Sequence, residues 1–418
     1  MTGTVKAVAV TVAVMALGGA AEAQVDDRLY GRVVTAGGRV YEGFLRWDKN
    51  EGRWADVLNG SKRLPWENAR DAERLDDRWE RDRERRVEVL GLTISWDEEG
   101  DEYPSTATSG IRFGHVRSLA LMDDDRALLT LRSGEELELS GGSTDVGSGF
   151  RGLVVDDPRR GEVELRWRDL DVVEFMAAPA DAGAPSAGTL FGTLRTRDGL
   201  EFTGYVAWDV DEILASDLLD GEERGRDRKI PFGDIAGIER AGSSGARVMM
   251  RDGEEVLLRG SNDVDEGNRG ISVSDPGLGQ VTVAWEDFEE VMFHEPMGRG
   301  ASHDDFDGGH PLYGMVETED GERLEGYLRW DNDEAWSWEI LDGRLGDVDL
   351  DVEFGLVASV RRLGGWGAEV TLRDGRAFEL DGSNDVDRGN KGIFVTLDGG
   401  ETALVRWEDV REVTFWRP

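Results

Sequence analysis

The sequence predicts an all-β chain built from three tandem modules, and two observations carry that prediction. Residues 367–415 repeat residues 245–293 without a gap, 122 positions apart and with 26 of 49 residues identical, and a degraded third copy runs from about 127 to 175. Alternating apolar and polar residues also recur around Gly-containing turns, a pattern typical of β-hairpins. One structural unit was therefore copied along the chain, and its copies define the organisation.

Each module begins with a predicted hairpin, at Leu29–Trp47, Leu190–Trp208 and Leu312–Trp330. Asp198-Gly199 and Asp320-Gly321 supply the positive φ that a tight hairpin turn requires. A second glycine late in the return strand predicts a bulge or a bend, and the aspartate after the final tryptophan is expected to begin the next turn. These recurring residues are Gly43, Gly204 and Gly326, followed by Asp48, Asp209 and Asp331.

Every module is itself two related halves of about 53 residues. Asp198-Gly199 recurs 54 positions later as Asp252-Gly253, and Asp320-Gly321 recurs at the same spacing as Asp374-Gly375. A lone unit of that size has a marginal core, so we expect the halves to pack in pairs. The predicted order is a signal peptide at 1–23, module 1 at 25–176, a linker at 177–189, module 2 at 190–293, an acidic His-containing linker at 294–311 and module 3 at 312–416.

The half-repeat carries a recurring set of turn, glycine and apolar residues, which in module 2 are Asp198, Gly199, Gly204, Trp208, Asp209, Phe232, Ile235 and Ile238. With these residues it resembles a small SH3-like barrel, and the Sm-like family is the variant it is most similar to. The resemblance implies two small barrels in each module. That family binds uridine-rich RNA, but this chain lacks the basic residues, so the activity is not transferred. A six-bladed β-propeller, with one blade for each half, is the alternative architecture.

Module 1 carries an insertion between its halves, near residues 67–87. Its opposite charges stand at i,i+3 and i,i+4 spacing, which predicts one charged helix. Leu75 and Trp79 are among the few apolar positions that can lie against the β-structure. We expect a solvated helix, with a partner-binding helix as the alternative.

The first 23 residues have the pattern of a secretory signal peptide. Lys6 precedes the apolar run Ala7–Leu17, and small residues then lead to Ala21-Glu22-Ala23. The run is too short to span a bilayer comfortably, and no later stretch is long and apolar enough to be a transmembrane segment. We therefore expect a chain that begins at Gln24 and works in the periplasm or as a secreted protein.

The net charge and the absence of cysteine exclude several classes of partner and site. Acidic residues outnumber basic ones by 88 to 49, and the formal net charge is −39. A field of that sign repels phosphate backbones, so no nucleic-acid partner is expected. There is no cysteine, which excludes disulfides, thiolate metal sites and cysteine nucleophiles. Hydrophobic residues make up 39% of the chain, as expected for folded domains.

A copied loop rich in aspartate and asparagine is the candidate metal site. Clustered oxygens between glycines suit Ca²⁺, the one cofactor that the sequence suggests, although the spacing is not that of an EF-hand. The alternative, which we favour, is a loop whose side-chain oxygens accept backbone N–H groups. The candidate ligands are Asp263, Asp265 and Asn268 in module 2 and Asp385, Asp387 and Asn390 in module 3.

Three histidines of the second linker, His294, His303 and His310, lie near aspartates. Imidazole and carboxylate suit a divalent metal, but the spacing matches no pre-formed site, and a solvated linker is the favoured interpretation.

Trp336 and Trp338 form the candidate binding surface. Two positions apart, they would share one face of a strand, and module 2 has Ser216 where Trp338 stands. A solvent-facing Trp338 would be a stacking platform for a sugar ring or a partner side chain. The tryptophans that recur between modules are instead expected in the core, namely Trp47, Trp167, Trp208, Trp285, Trp330 and Trp407.

No catalytic motif stands out, because the chain contains no G-x-S-x-G, H-E-x-x-H or P-loop sequence. The sequence therefore favours an exported, non-catalytic binding or scaffold protein of the cell envelope that engages polysaccharide or protein. One alternative is a calcium-stabilised envelope protein. The other is a hydrolase with an unrecognised carboxylate site in a cleft between modules.

Overall fold

The computed structural model describes residues 27–68, 70–75, 105–141, 143–296 and 298–418. In these ranges the chain forms 30 β-strands arranged in two antiparallel sheets, which confirms the all-β prediction. The predicted signal peptide at 1–23 lies outside the described residues.

Module 1 forms a ten-stranded sheet with the order β4-β3-β7-β6-β5-β10-β1-β2-β8-β9. Its strands are β1 (Tyr30–Thr35), β2 (Val40–Arg46), β3 (Val57–Arg63), β4 (Thr106–Arg112), β5 (Val116–Leu121), β6 (Arg126–Leu131), β7 (Glu136–Ser140), β8 (Leu153–Asp157), β9 (Gly161–Leu165) and β10 (Leu170–Phe175).

Modules 2 and 3 repeat these ten strands and share one sheet of twenty. Module 2 contains β11 (Phe191–Thr196), β12 (Glu201–Ala207), β13 (Leu218–Glu223), β14 (Arg226–Pro231), β15 (Ile235–Arg240), β16 (Gly245–Met250), β17 (Glu255–Arg259), β18 (Ile271–Asp275), β19 (Gly279–Val283) and β20 (Phe288–Phe293). Module 3 contains β21 (Tyr313–Thr318), β22 (Arg323–Trp330), β23 (Ile340–Leu345), β24 (Val348–Glu353), β25 (Val357–Arg362), β26 (Gly367–Leu372), β27 (Ala377–Asp381), β28 (Ile393–Thr396), β29 (Thr402–Val405) and β30 (Val410–Phe415).

Short 3-10 helices connect strands within the modules, and one lies in the second linker. They span Phe113–His115, Gly147–Gly149, Trp167–Asp169, Phe232–Asp234, Asn262–Val264, His303–Asp305, Phe354–Leu356 and Trp407–Asp409.

The two halves of a module exchange strands. In module 1 the hairpin β1–β2 of the first half pairs with β10 and β8 of the second half, and β3 of the first half pairs with β7 of the second. Modules 2 and 3 have the same pairings. Within the described residues, neither half therefore closes into a barrel of its own, and the prediction of two small barrels per module is wrong. Separate propeller blades do not form either, because the strands run on in continuous sheets.

The physical reason for the exchange is the size of each half. A unit of about 50 residues buries too little apolar surface to be stable alone, whereas two interleaved halves share one core. Module 1 has one such core, in which Trp47, Phe113 and Trp167 are buried together. Modules 2 and 3 share a second, continuous core. All six recurring tryptophans are buried, as the sequence predicts.

The turn predictions hold, but the second glycine has another cause than a bulge. Asp48, Asp209 and Asp331 have positive φ values of 42°, 51° and 43°, as residues of a tight turn do. Gly43 stands in regular register opposite Gly31. A Cβ atom at Gly43 would lie 2.0 Å from the carbonyl oxygen of Asp156, so glycine is required because the next strand approaches closely.

The predicted insertion does begin as a helix. Residues 66–68 and 70–75 are α-helical, and Ala72 and Leu75 are buried against Phe394 of module 3. The helix therefore lies on a neighbouring module rather than in solvent. The remainder of the predicted helix, with Trp79, lies outside the described residues.

Candidate functional site

A cleft with a volume of about 580 Å³ lies between modules 1 and 3. Module 1 contributes Lys62 from β3 and Asn68 from the inserted helix. Module 3 contributes aromatic side chains from β22, from β28 and from the turn between β22 and β23. These aromatic residues are Tyr327, Trp336, Trp338 and Phe394.

Trp338 lines this cleft but does not face solvent. It is only 2% exposed and packs into the core of module 1 together with Phe306 of the second linker. Both Trp336 and Trp338 lie in the turn before β23, not on a strand. The expectation of an exposed Trp338 is therefore wrong, because another module covers it. Trp336 is half-buried and packs against the same core.

Tyr327 is the exposed aromatic of the cleft, with half of its surface (50%) accessible. Its counterpart in module 2 is Tyr205, which is buried because the guanidinium of Arg53 lies over its ring at 4.2 Å from the centroid. The ring of Tyr313 on the adjacent strand packs edge-on against Tyr327 at 5.2 Å and fixes its position. Module 3 thus exposes a tyrosine ring at the position where the tyrosine of module 2 packs against Arg53.

Polar groups hold the walls of the cleft in place. Lys62 pairs with Glu339 and also donates a hydrogen bond to the carbonyl oxygen of Asp333 at 2.6 Å. Glu339 accepts the backbone N–H of Trp336 at 2.8 Å and thereby positions that indole. Arg329 donates to Asn68 at 2.7 Å, and its guanidinium lies 4.4 Å from the centre of the Phe394 ring. The aromatic wall is therefore rigidly supported on both sides.

A second feature recurs in all three modules: a glutamate, buried in modules 1 and 3 and half-buried in module 2, beside two buried aspartates. The glutamate stands four residues after the recurring tryptophan, and in each copy one of its carboxylate oxygens has no hydrogen-bond partner among the described residues. These sets are Glu51, Asp48 and Asp145; Glu212, Asp209 and Asp263; and Glu334, Asp331 and Asp385.

Burial and mutual repulsion shift several of these groups. Burial, followed by the charge of Asp263, raises the pKa of Glu212 to about 9. Burial likewise raises the pKa of Asp263 to about 6 and that of Asp331 to about 7. The pKa of Glu334 lies well above its usual value because the group is buried beside Asp385.

The aspartates of these sets brace the fold. Asp263 accepts the backbone N–H of Asp220 at 2.7 Å, while its own carbonyl oxygen accepts the indole N–H of Trp208 at 2.8 Å. Asp385 makes the equivalent bonds to Asp342 and Trp330 at 2.9 and 3.0 Å. Because the same set recurs at the same structural place in all three modules, we interpret it as a structural element of the repeat unit.

The other candidate calcium ligands also face backbone donors. Asp265 accepts the N–H of Gly267 at 2.8 Å, and Asn268 accepts that of Gly270 at 2.9 Å. In module 3, Asp387 and Asn390 accept the N–H groups of Gly389 and Gly392 at 2.7 and 2.8 Å. These oxygens therefore hold the loop, and the part of the chain that the structure describes contains no group of three or more histidine or acidic side chains placed to hold a metal ion.

The linker histidines lie in three different surroundings. His294 is 3.1 Å from the hydroxyl of Thr193, and the ring of His303 packs against Trp54 at 5.0 Å. His310 lines a separate cavity of about 380 Å³ beside Glu353.

Sequence reasoning missed the buried glutamates and the exposed Tyr327. The glutamates had a visible signal, since a glutamate follows each hairpin tryptophan at constant spacing in all three modules. Tyr327 had none, because Tyr205 has the same local sequence and only the packing of module 1 distinguishes the two.

Over the described residues, no helix has both the length and the apolar character needed to cross a membrane. No protein-family model, curated protein or solved structure matches this chain significantly.

Proposed function

We propose that this chain is an exported, non-catalytic binding or scaffold protein of the cell envelope, and that it binds polysaccharide in the cleft between modules 1 and 3. The observation that carries the proposal is the open ring of Tyr327 at the place where module 2 buries Tyr205 under Arg53. An aromatic ring that is exposed but held in place is a suitable stacking surface for a sugar.

The rest of the cleft supports a polysaccharide ligand. Its volume of about 580 Å³ accommodates a short run of sugar rings. Trp336 extends the aromatic surface beside Tyr327, while Asn68 and Glu136 provide polar groups at the module 1 side. Stacking surfaces flanked by hydrogen-bonding side chains give a sugar both its contact area and its orientation.

Binding to insoluble envelope polysaccharide tests the site. The Tyr327→Ala variant is expected to bind about tenfold more weakly, because it loses the stacking surface. Trp366→Ala is the matched control, since Trp366 is also exposed (55%) but lies outside the cleft. Equal binding by wild type and Tyr327→Ala would contradict the proposal, as would equal losses in both variants.

Export is tested separately by mass spectrometry of the protein recovered outside the cytoplasm. We expect a chain that begins at Gln24. Recovery of a chain that retains Met1 would contradict the proposed processing.

A further inference from the structure

Modules 2 and 3 are joined edge to edge by β19 and β24. Gln280 stands opposite Asp351, Val281 opposite Leu350, and Thr282 opposite Asp349. The strands approach so closely beside this joint that a Cβ atom on Gly279 would lie 2.1 Å from the carbonyl oxygen of Asp351. The joint therefore needs a glycine at the start of its first strand.

The repeat places the same two kinds of strand elsewhere in the chain. β9 of module 1 is the counterpart of β19, and β14 of module 2 is the counterpart of β24. Within the described ranges, β9 pairs only with β8 and β14 pairs only with β13. Each of these strands thus presents one open edge, and open edges are templates for pairing with another chain.

β9 and β14 are the best suited of the outer strands for such a joint. Gly161 of β9 occupies the position of Gly279, and a Cβ there would meet no atom within 4 Å. β29 of module 3 has Glu401 before its first residue, where the joint needs glycine. β4, the counterpart of β24 in module 1, already packs on the other modules, since Arg112 donates to the carbonyl oxygen of Pro276 at 3.4 Å.

One pair of opposite charges would face each other across the two edges. β9 carries Glu162 and Glu164, whereas β14 has the sequence Arg-Asp-Arg-Lys-Ile-Pro at Arg226–Pro231, a basic run in a chain with a net charge of −39. The register of the β19–β24 joint, applied to these strands, places Glu162 directly opposite Lys229. Opposite charges in that position stabilise a strand pair.

The same register places Glu164 opposite Asp227, and a lysine offsets that contact. The ammonium of Lys49 lies 2.8 Å from a carboxylate oxygen of Glu164. The repulsion between these two carboxylates is therefore partly neutralised.

We propose that β9 of one copy of this chain pairs antiparallel with β14 of a second copy and repeats between molecules the joint that β19 and β24 form within one. The contact is heterologous, because different strands meet. It produces a ring where the rotation closes and a filament where it does not.

Sedimentation velocity of the full chain over rising protein concentrations tests this joint. The wild type is expected to self-associate, and Glu162→Lys and Lys229→Glu are each expected to weaken association about tenfold, because like charges then face each other. Glu201→Lys, a charge reversal at an exposed position of β12, is the control and is expected to associate as the wild type does.

The decisive experiment mixes the Glu162→Lys and Lys229→Glu variants. The introduced lysine of one variant then faces the introduced glutamate of the other, so the mixture is expected to associate more tightly than either variant alone. A wild type that stays monomeric at every concentration would overturn the proposal. So would reversals that leave association unchanged, or a mixture that behaves as its two components do. Circular dichroism of each variant confirms the fold, and because the two positions lie on different modules, a folding defect in one leaves the other as a test.

Discussion

Lys62 of module 1 and Glu339 of module 3 form an ion pair across the module boundary in which each side chain is only 4% exposed. Burial alone would lower the pKa of Lys62, but Glu339 and the neighbouring carboxylates raise it. The pair helps to hold the aromatic wall of the cleft in place, because Glu339 also accepts backbone N–H groups of the turn that contains Trp336.

Removing one partner of this pair is expected to destabilise the chain strongly. Lys62→Met leaves a buried carboxylate without its counter-ion, and we expect the free energy of unfolding to fall by about 3–5 kcal/mol. The double variant Lys62→Met/Glu339→Gln should recover most of that loss, since the amide oxygen still accepts the backbone N–H groups. Urea denaturation measures both, with a substitution at an exposed position of β5, Arg117→Met, as control. A double variant no more stable than the single one would contradict this interpretation.

Trp338→Ala is expected to be a stability mutation. Truncating a buried tryptophan costs about 3–5 kcal/mol, because the side chain leaves a cavity in the core of module 1. Trp366→Ala, at an exposed position, should change the unfolding free energy by less than about 0.5 kcal/mol. Thermal denaturation followed by near-ultraviolet circular dichroism distinguishes the two, and similar melting temperatures would be inconsistent with the burial of Trp338.

Glu212 makes stability depend on pH. Burial, followed by the nearby Asp263, raises its pKa to about 9 from a usual value of 4.5, so the folded state holds a proton that the unfolded state has lost. The contribution of Glu212 to stability is complete at pH values below the pKa that it has in the unfolded state. It is lost as the pH rises through the pKa that Glu212 has in the folded state, with a slope of up to about 1.4 kcal/mol per pH unit.

The Glu212→Gln variant should therefore be more stable than the wild type at pH 9 and little changed at pH 5. Melting temperatures across that range provide the measurement, with Glu201→Gln as the exposed control. A difference between wild type and Glu212→Gln that does not vary with pH would refute the assignment.

The copied loops are expected to brace turns rather than to bind calcium. Asp265→Ala and Asp387→Ala each remove one acceptor of a backbone N–H group, at a cost of about 1 kcal/mol. We expect calcium to leave the melting temperature of the full chain unchanged. A calcium-dependent rise in the wild type that both substitutions abolish would instead establish the loops as metal sites, with a stabilisation of about 2.7 kcal/mol at a hundredfold excess over Kd.

The sequence was sufficient for the strands but not for their partners. Hairpin turns such as Asp198-Gly199 and the buried position of Trp208 follow from local patterns that recur in each copy. The pairing of β2 with β8 does not follow from such patterns. β3 and β8 carry the same kind of alternating sequence, and only the path of the connections selects between them. For the same reason the exposure of Tyr327 and the burial of Trp338, which depend on a neighbouring module, could not be predicted locally.

The exchange of strands between halves also determines when the chain can fold. Gly31 of β1 pairs with Phe175 of β10, so the first hairpin of module 1 meets its partner only after the whole module has been synthesised. Contacts so distant in sequence slow folding, because a long loop must be closed before they can form. Until then the apolar face of the hairpin is open to other chains. A truncated half-module should therefore aggregate rather than fold, because it lacks the strands that complete its core.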